Sequence, residues 1–169
     1  MKKYQLIIFA ALIAAAGLVI FWMFRDEMPQ TIENYFTVTL TVSTETLLEN
    51  MHLLHSDKHE LVPVDGIIFP KTVVTVYEGD NVFDVLQREM RNARIHLVSR
   101  QMPIFDAVYV EAINNIFEFD SGPLSGWKYR VNGVFPSHSA SSFVLQDGDF
   151  IEWLYTIDLG RDLDFEQQR

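Results

Sequence analysis

Gly126-Trp127-Lys128-Tyr129-Arg130-Val131-Asn132-Gly133 and, further on, Leu145-Gln146-Asp147-Gly148-Asp149-Phe150-Ile151-Glu152-Trp153-Leu154-Tyr155-Thr156 decide how this chain is read. Each segment is strand-like, rich in aromatic and β-branched residues, and each is punctuated by a tight turn. Asn-Gly follows the first and Asp-Gly precedes the second. Between them, Val134 to Ser142 is a polar connection carrying Phe135, Pro136 and His138. By strand parity Trp127, Tyr129 and Val131 share one face, with Lys128 and Arg130 on the other. Ile151, Trp153 and Tyr155 likewise share a face opposite Glu152. Parity sends most of these aromatics to a core. Trp127 and Tyr155 sit at strand ends, where a side chain reaches a groove rim, and Phe135 and His138 have no periodic reason to be buried. A docking ligand is therefore expected against Trp127, Phe135, His138 and Tyr155, with Asn132 offering an amide.

Working outward, Phe36 to Ser43 alternates Val38, Leu40 and Val42 with threonines, the pattern of a half-buried strand. Thr44 to Leu54 carries Leu47, Leu48, Met51 and Leu54 at helical spacing. Val62 to Pro70 reads as a connection and Thr72 to Tyr77 as a second strand. Gly79-Asp80-Asn81 breaks that strand and supplies a helix cap. Val82, Val85, Leu86, Met90 and Ala93 then mark one face of a helix ending near Asn92. Ile95 to Ser99 returns as a strand and Pro103 marks a turn. Ala107 to Ile113 and Ile116 to Phe119 flank Asn114-Asn115, a two-residue hairpin signal. Strands around one well-formed helix give an α+β pattern, a mixed sheet wrapped over that helix.

The N-terminus suits a membrane. Met1-Lys2-Lys3 is basic, and Gln5 to Phe24 has no charge and no proline. Twenty residues at about 1.5 Å each span roughly 30 Å, the hydrocarbon thickness of a bilayer. The run closes on Phe21-Trp22-Met23-Phe24-Arg25, which lacks the small pair of a signal-peptidase site. An uncleaved anchor is expected, with Lys2 and Lys3 inside and Arg25 onward outside the cell. The expected layout is an anchor over 1–27, a stalk over 28–35, one domain over 36–163 and a polar tail over 164–169.

Of 169 residues, 13 are basic and 23 acidic. Without Lys2 and Lys3 the outer part carries a charge of about −12. Such a domain repels phosphate backbones and lacks a basic cluster with interleaved aromatics, so nucleic acid is excluded as a partner. Cysteine is absent, which removes any disulfide framework.

Catalytic signatures are missing. No Gly-x-Ser-x-Gly elbow, phosphate-binding glycine loop or His-Glu-x-x-His helix occurs, so no enzyme is expected. Ser137, His138, Ser139, Ser141 and Ser142 share one polar loop, which lacks the rigid support a nucleophile needs. His52, His55 and His59 have metal-like spacing, lying within about 60° of one another on a continuous helix. The rival reading is a solvated face beside an apolar stripe. Asp158, Asp162 and Asp164 around Gly160 hint at a calcium loop without reproducing an EF-hand.

Several segments together resemble the transcobalamin-like C-terminal domain family. They are Tyr77-Glu78-Gly79, Val82-Phe83-Asp84-Val85-Leu86-Gln87, Tyr109-Val110-Glu111-Ala112-Ile113-Asn114-Asn115, Gly122-Pro123-Leu124-Ser125-Gly126-Trp127, Asp147-Gly148-Asp149-Phe150-Ile151-Glu152-Trp153 and Asp158-Leu159-Gly160. The likeness runs from about Thr37 to Asp162. It implies a soluble-ligand-binding β-grasp domain, and cobalamin or another large cofactor as ligand, since the vertebrate cobalamin carriers are distant members. Family members often carry cysteines near positions 44 and 121, where this chain has Thr44 and Ser121. Two functions follow as expectations. One is a membrane-anchored extracellular ligand-binding module. The other is an accessory subunit docking a membrane transporter or cell-surface protein, its anchor carrying the small residues Ala10, Ala11, Ala14, Ala15, Ala16 and Gly17.

Overall fold

The alternation in Tyr35–Ser43 makes that segment strand β1, with Val38, Leu40 and Val42 buried. The structure, a computed structural model, describes residues 3–5, 8, 15, 19, 21, 35–105 and 107–163. The chain divides into two compact units, Met1–Glu33 and Asn34–Arg169. Most of the expected anchor and stalk, and the whole of the tail, lie outside the described residues. Among the described residues no helix is long and apolar enough to cross a membrane.

Strand β2, Ile67–Tyr77, pairs antiparallel with β1. It begins well before the expected Thr72 and runs through Pro70. β2 is the edge of its sheet, and its register slips between Leu40↔Thr72 and Val42↔Phe69. The slip places one extra residue on β2, a bulge where a residue without an N–H is tolerated.

The helix expected over Thr44 to Leu54 is broken. Helix α1 spans only Glu45–Leu48, and 3₁₀ turns follow at Met51–Leu53 and Ser56–Leu61. Two side chains explain the break. Thr44 Oγ1 donates to the Gly66 carbonyl at 3.0 Å and makes no helix cap. Asn50 Nδ2 takes the Thr46 carbonyl at 2.8 Å, while the Asn50 N–H bonds to Leu47 O, three residues back. The side chain thus occupies the acceptor that the next α-helical turn needs.

Helix α2, Val82–Ala93, forms as the periodicity predicts. Asn81 Oδ1 accepts the Asp84 N–H at 3.0 Å and the Asn81 N–H donates to Asp84 Oδ2 at 3.1 Å, a reciprocal capping box. Val82, Val85, Leu86 and Met90 are buried, joined by Phe83, whereas Ala93 is exposed. Arg94 ends the helix in the left-handed region at φ 59°.

Strands β3 (Leu97–Met102), β4 (Ala107–Ile113) and β5 (Ile116–Phe117) form a three-stranded antiparallel sheet. Asn114 and Asn115, at φ 53° and 60°, make its two-residue hairpin. β6 (Gly126–Val131) and β7 (Phe150–Thr156) complete the first sheet in the order β2-β1-β7-β6. β1 and β7 run parallel, with Leu40 opposite Ile151 and Val42 opposite Trp153. The architecture is mixed α+β, with sheets dominating. Apolar side chains of β1, β2, α2, β4, β6 and β7 meet in one core.

Substitutions at two positions grade this account. Asn81→Ala is expected to lower stability by about 1 kcal/mol, while Asn81→Ser retains most of it. Gly66→Ala is expected to cost about 3 kcal/mol. Its φ is 73°, and a Cβ would lie 2.8 Å from Glu45 Cα. Urea midpoints of the three variants check the order.

Candidate functional site

The register of β6 on β7 sets Trp127 opposite Tyr155 and Tyr129 opposite Trp153. The first pair meets edge to face with centroids 5.2 Å apart; the second is tilted by 32° at 5.5 Å. On the other face Arg130 Nε and Nη2 grip Glu152 Oε2 and Oε1 at 2.6 and 2.8 Å. That fork satisfies a carboxylate which is otherwise buried.

Trp127 and Tyr155 reach across to the second sheet. Trp127 Nε1 donates to the Ile116 carbonyl at 2.8 Å, and Tyr155 Oη donates to the Phe117 carbonyl at 2.9 Å. Both acceptors belong to β5, so the two aromatic tips clamp the short sheet to the long one. Tyr155 is sealed, at 0% exposure, and burial pushes its phenol pKa up.

The β6–β7 connection spans the space beside this clamp. It leaves β6 through Asn132 and Gly133, at φ 52° and 80°. Asn132 Nδ2 donates to Asp149 Oδ1 and Asn132 Oδ1 accepts the Phe150 N–H, both at 2.8 Å. Tyr129 Oη donates to the His138 carbonyl at 2.9 Å, and the Val108 N–H donates to Ser141 Oγ at 3.0 Å. The loop is thereby tied to β6 and β4 by polar tethers. Under them lies a cavity of ≈ 320 Å³ walled by Val108, Trp127, Tyr129, Phe135, Ala140 and Trp153, with Phe105 also in its wall.

Of the residues expected at a ligand site, Trp127 and Phe135 line this cavity. Tyr155 lies in the core against Trp127, and Asn132 holds its own turn. His138 is exposed on the loop and contributes its carbonyl. Tyr129 and Trp153, assigned to a core by parity, prove to be cavity walls as well. Their shared face was legible in the sequence; the gap in front of it depends on β4 and the loop. Phe105, beyond the Pro103 turn, carried no sequence signal at all.

The histidine cluster does not assemble. Its premise was a continuous helix, and the chain instead places His52 in one 3₁₀ turn and His59 in the next, with His55 between them. His59 Nε2 lies 3.0 Å from the Leu54 carbonyl. Among the described residues no group of three His, Asp or Glu is arranged to hold a metal ion. Asp162 Oδ2 accepts the Ile157 N–H at 2.8 Å and Asp158 pairs with Arg161, so both carboxylates serve their own loop. Asp164 lies outside the described residues.

A family model described as a domain of unknown function, DUF4430, matches residues 79–156. No curated protein matches the chain. Among solved structures, haptocorrin in complex with Cbi is similar at 18% identity and a TM-score of 0.53, over 75% of this chain. The match spans 26% of haptocorrin, about a quarter of its length. A Ruminococcus gnavus protein described as a candidate metal-binding protein is similar at 14% identity and a TM-score of 0.41, over 72% of this chain and 96% of that one. The haptocorrin match shows a shared fold.

Burial also shapes the titration of the site. It pushes the Tyr129 phenol up to about 12, and raises Tyr109 to about 12 with help from its hydrogen bond to Glu118. Unfolded tyrosine titrates near 10. The protonated, folded form is therefore fully favoured below about pH 10, and the advantage is lost as pH rises toward about 12. Stability is expected to fall across that window, and Tyr129→Phe to make the fall shallower. Denaturation at stepped pH, with tyrosinate absorbance followed in parallel, measures both; an unchanged profile in the variant would remove Tyr129 from this account.

Proposed function

We propose that this chain is a non-catalytic ligand-binding module, displayed outside the cell on an N-terminal membrane helix. Its outer part is read as a transcobalamin-like domain of β-grasp type. Support for that reading comes from the sheet order β2-β1-β7-β6, the central parallel pair and the long helix α2 of the outer unit. The apolar run Gln5 to Phe24 and the lysines before it support the anchor and its orientation.

The observation that carries the ligand reading is the aromatic cavity between β4, β6, β7 and the loop. Its ≈ 320 Å³ stands at the small end of ligand sites, which range over about 300–1,000 Å³. A corrinoid or similarly large cofactor would therefore place only one edge there. A partner protein covering the other face would supply the remaining affinity. Haptocorrin is about four times longer than the matched segment.

A second reading, docking to a transporter or cell-surface protein, rests on Ile104 and Phe105. They are neighbours in the chain, 90% and 71% exposed, and Phe105 is itself in the cavity wall, which gives a partner an apolar foothold at the site.

The test is a thermal-shift series on the full chain in detergent with cobinamide, cobalamin and haem. A ligand at 100 times its dissociation constant adds about 2.7 kcal/mol to stability. Phe135→Ala is expected to weaken that ligand about tenfold, because it removes part of the apolar wall. His138→Ala is expected to weaken corrinoids alone, through loss of an imidazole for cobalt. No shift with any cofactor, together with stoichiometric recovery of a membrane protein, would replace the ligand reading with the docking one.

A further inference from the structure

The two tryptophans of the cavity wall differ in one respect. The indole N–H of Trp127 donates to the Ile116 carbonyl at 2.8 Å. The indole N–H of Trp153, in a residue only 3% exposed, finds no acceptor among the described residues. Buried donors are nearly always paired, and an orphan is disfavoured by its lost hydration. Trp153 lies in the cavity wall with the Tyr129 ring tilted against it at 5.5 Å. Tyr129 is in turn held by the His138 carbonyl on the loop.

The rest of the wall narrows what enters. Among the described lining residues there is no carboxylate, guanidinium or imidazole. The lining cation, Lys128, runs its stem over Gly160, so close that a Cβ there would lie 2.8 Å from Lys128 Cδ. Among the described residues, then, none in the wall offers a cation a counter-charge, and a cation would enter at a large desolvation cost. Trp127, Tyr129, Phe135 and Trp153 offer ring faces and edges, which favour a flat aromatic guest.

We propose that the cavity takes an uncharged, planar aromatic ring bearing a hydrogen-bond acceptor, a ring nitrogen or carbonyl, and that this acceptor pairs with Trp153 Nε1. Trp153 Nε1 is covered as the cavity stands, so the pairing requires the wall beside it, where Tyr129 is tilted against Trp153, to yield as the ring enters. The proposal rests on the ligand-binding reading and specifies which part of a ligand the cavity holds.

Three probes of one shape test it on the full chain at a single detergent concentration: quinoline, naphthalene and N-methylquinolinium. Affinities are compared between the unaltered chain and Trp153→Phe, so that partitioning into micelles cancels. Trp153→Phe is expected to weaken quinoline about five- to tenfold, the loss of one hydrogen bond, and naphthalene less than about twofold. N-methylquinolinium is expected not to bind. In the unaltered chain the Trp153 indole proton moves downfield with quinoline and not with naphthalene, a readout that survives if the variant folds poorly. Equal losses for both neutral probes, or an unmoved indole proton on quinoline binding, would overturn the acceptor pairing and leave the cavity as a binding site. If neither neutral probe perturbs Trp127 or Phe135, the ligand-binding reading falls with it.

Discussion

The parallel pairing of β1 with β7 is the constraint on which the rest of the outer unit depends. These are its first and last strands, and they lie side by side at the centre of the larger sheet. Parallel neighbours need a crossover, so between β2 and β6 the chain must leave the sheet, through α2 and the second sheet, and return. The return is stitched in place by the turn before β7. Thr39 N donates to the Asp149 carbonyl, Gly148 N to the Thr37 carbonyl, both at 2.8 Å, and Thr37 N to Asp147 Oδ1 at 3.1 Å. With β7 fixed in register, β6 on its far side has one arrangement that buries its aromatic face.

That arrangement divides the aromatic face into two jobs. At one end Trp127 and Tyr155 are spent on the β5 carbonyls and join the sheets. At the other, Tyr129 and Trp153 face a gap bridged by a loop that is fastened through hydroxyls and carbonyls. Apolar packing closes space, whereas polar tethers at fixed points span it. The cavity persists in front of Tyr129 because Ala140 and Val108 are too small to fill it. Among the described residues its lining holds no carboxylate, in contrast to the net negative charge of the outer part.

Much of the fold was legible in the sequence where local chemistry and tertiary context agree. The alternation of Val38, Leu40 and Val42, the helix cap supplied by Gly79-Asp80-Asn81 and the Asn114-Asn115 hairpin are such cases. The misreadings arose where context prevailed. Pro70 sits in a strand because that strand is a bulged edge, which no local pattern announces. The Thr44 to Leu54 helix fails because Thr44 and Asn50 spend side chains on carbonyls, of Gly66 and Thr46 respectively. Parity grouped Trp127, Tyr129, Trp153 and Tyr155 correctly, yet it cannot say which end of a face is sealed. Tyr155 was expected at a rim and lies in the core; Tyr129 and Trp153 were expected in the core and wall a cavity. Asn132 and the histidines looked available because one-dimensional spacing does not show the turns that use or separate them.

The central claim is that the space between the sheets, and not another surface, receives the ligand. Intermolecular nuclear Overhauser contacts from cobinamide bound to the full chain test it most directly. The account predicts contacts from the corrinoid to the ring protons of Tyr129, Phe135 and Trp153. Contacts confined to residues remote from that space, such as the turns carrying His52 and His59, would contradict it.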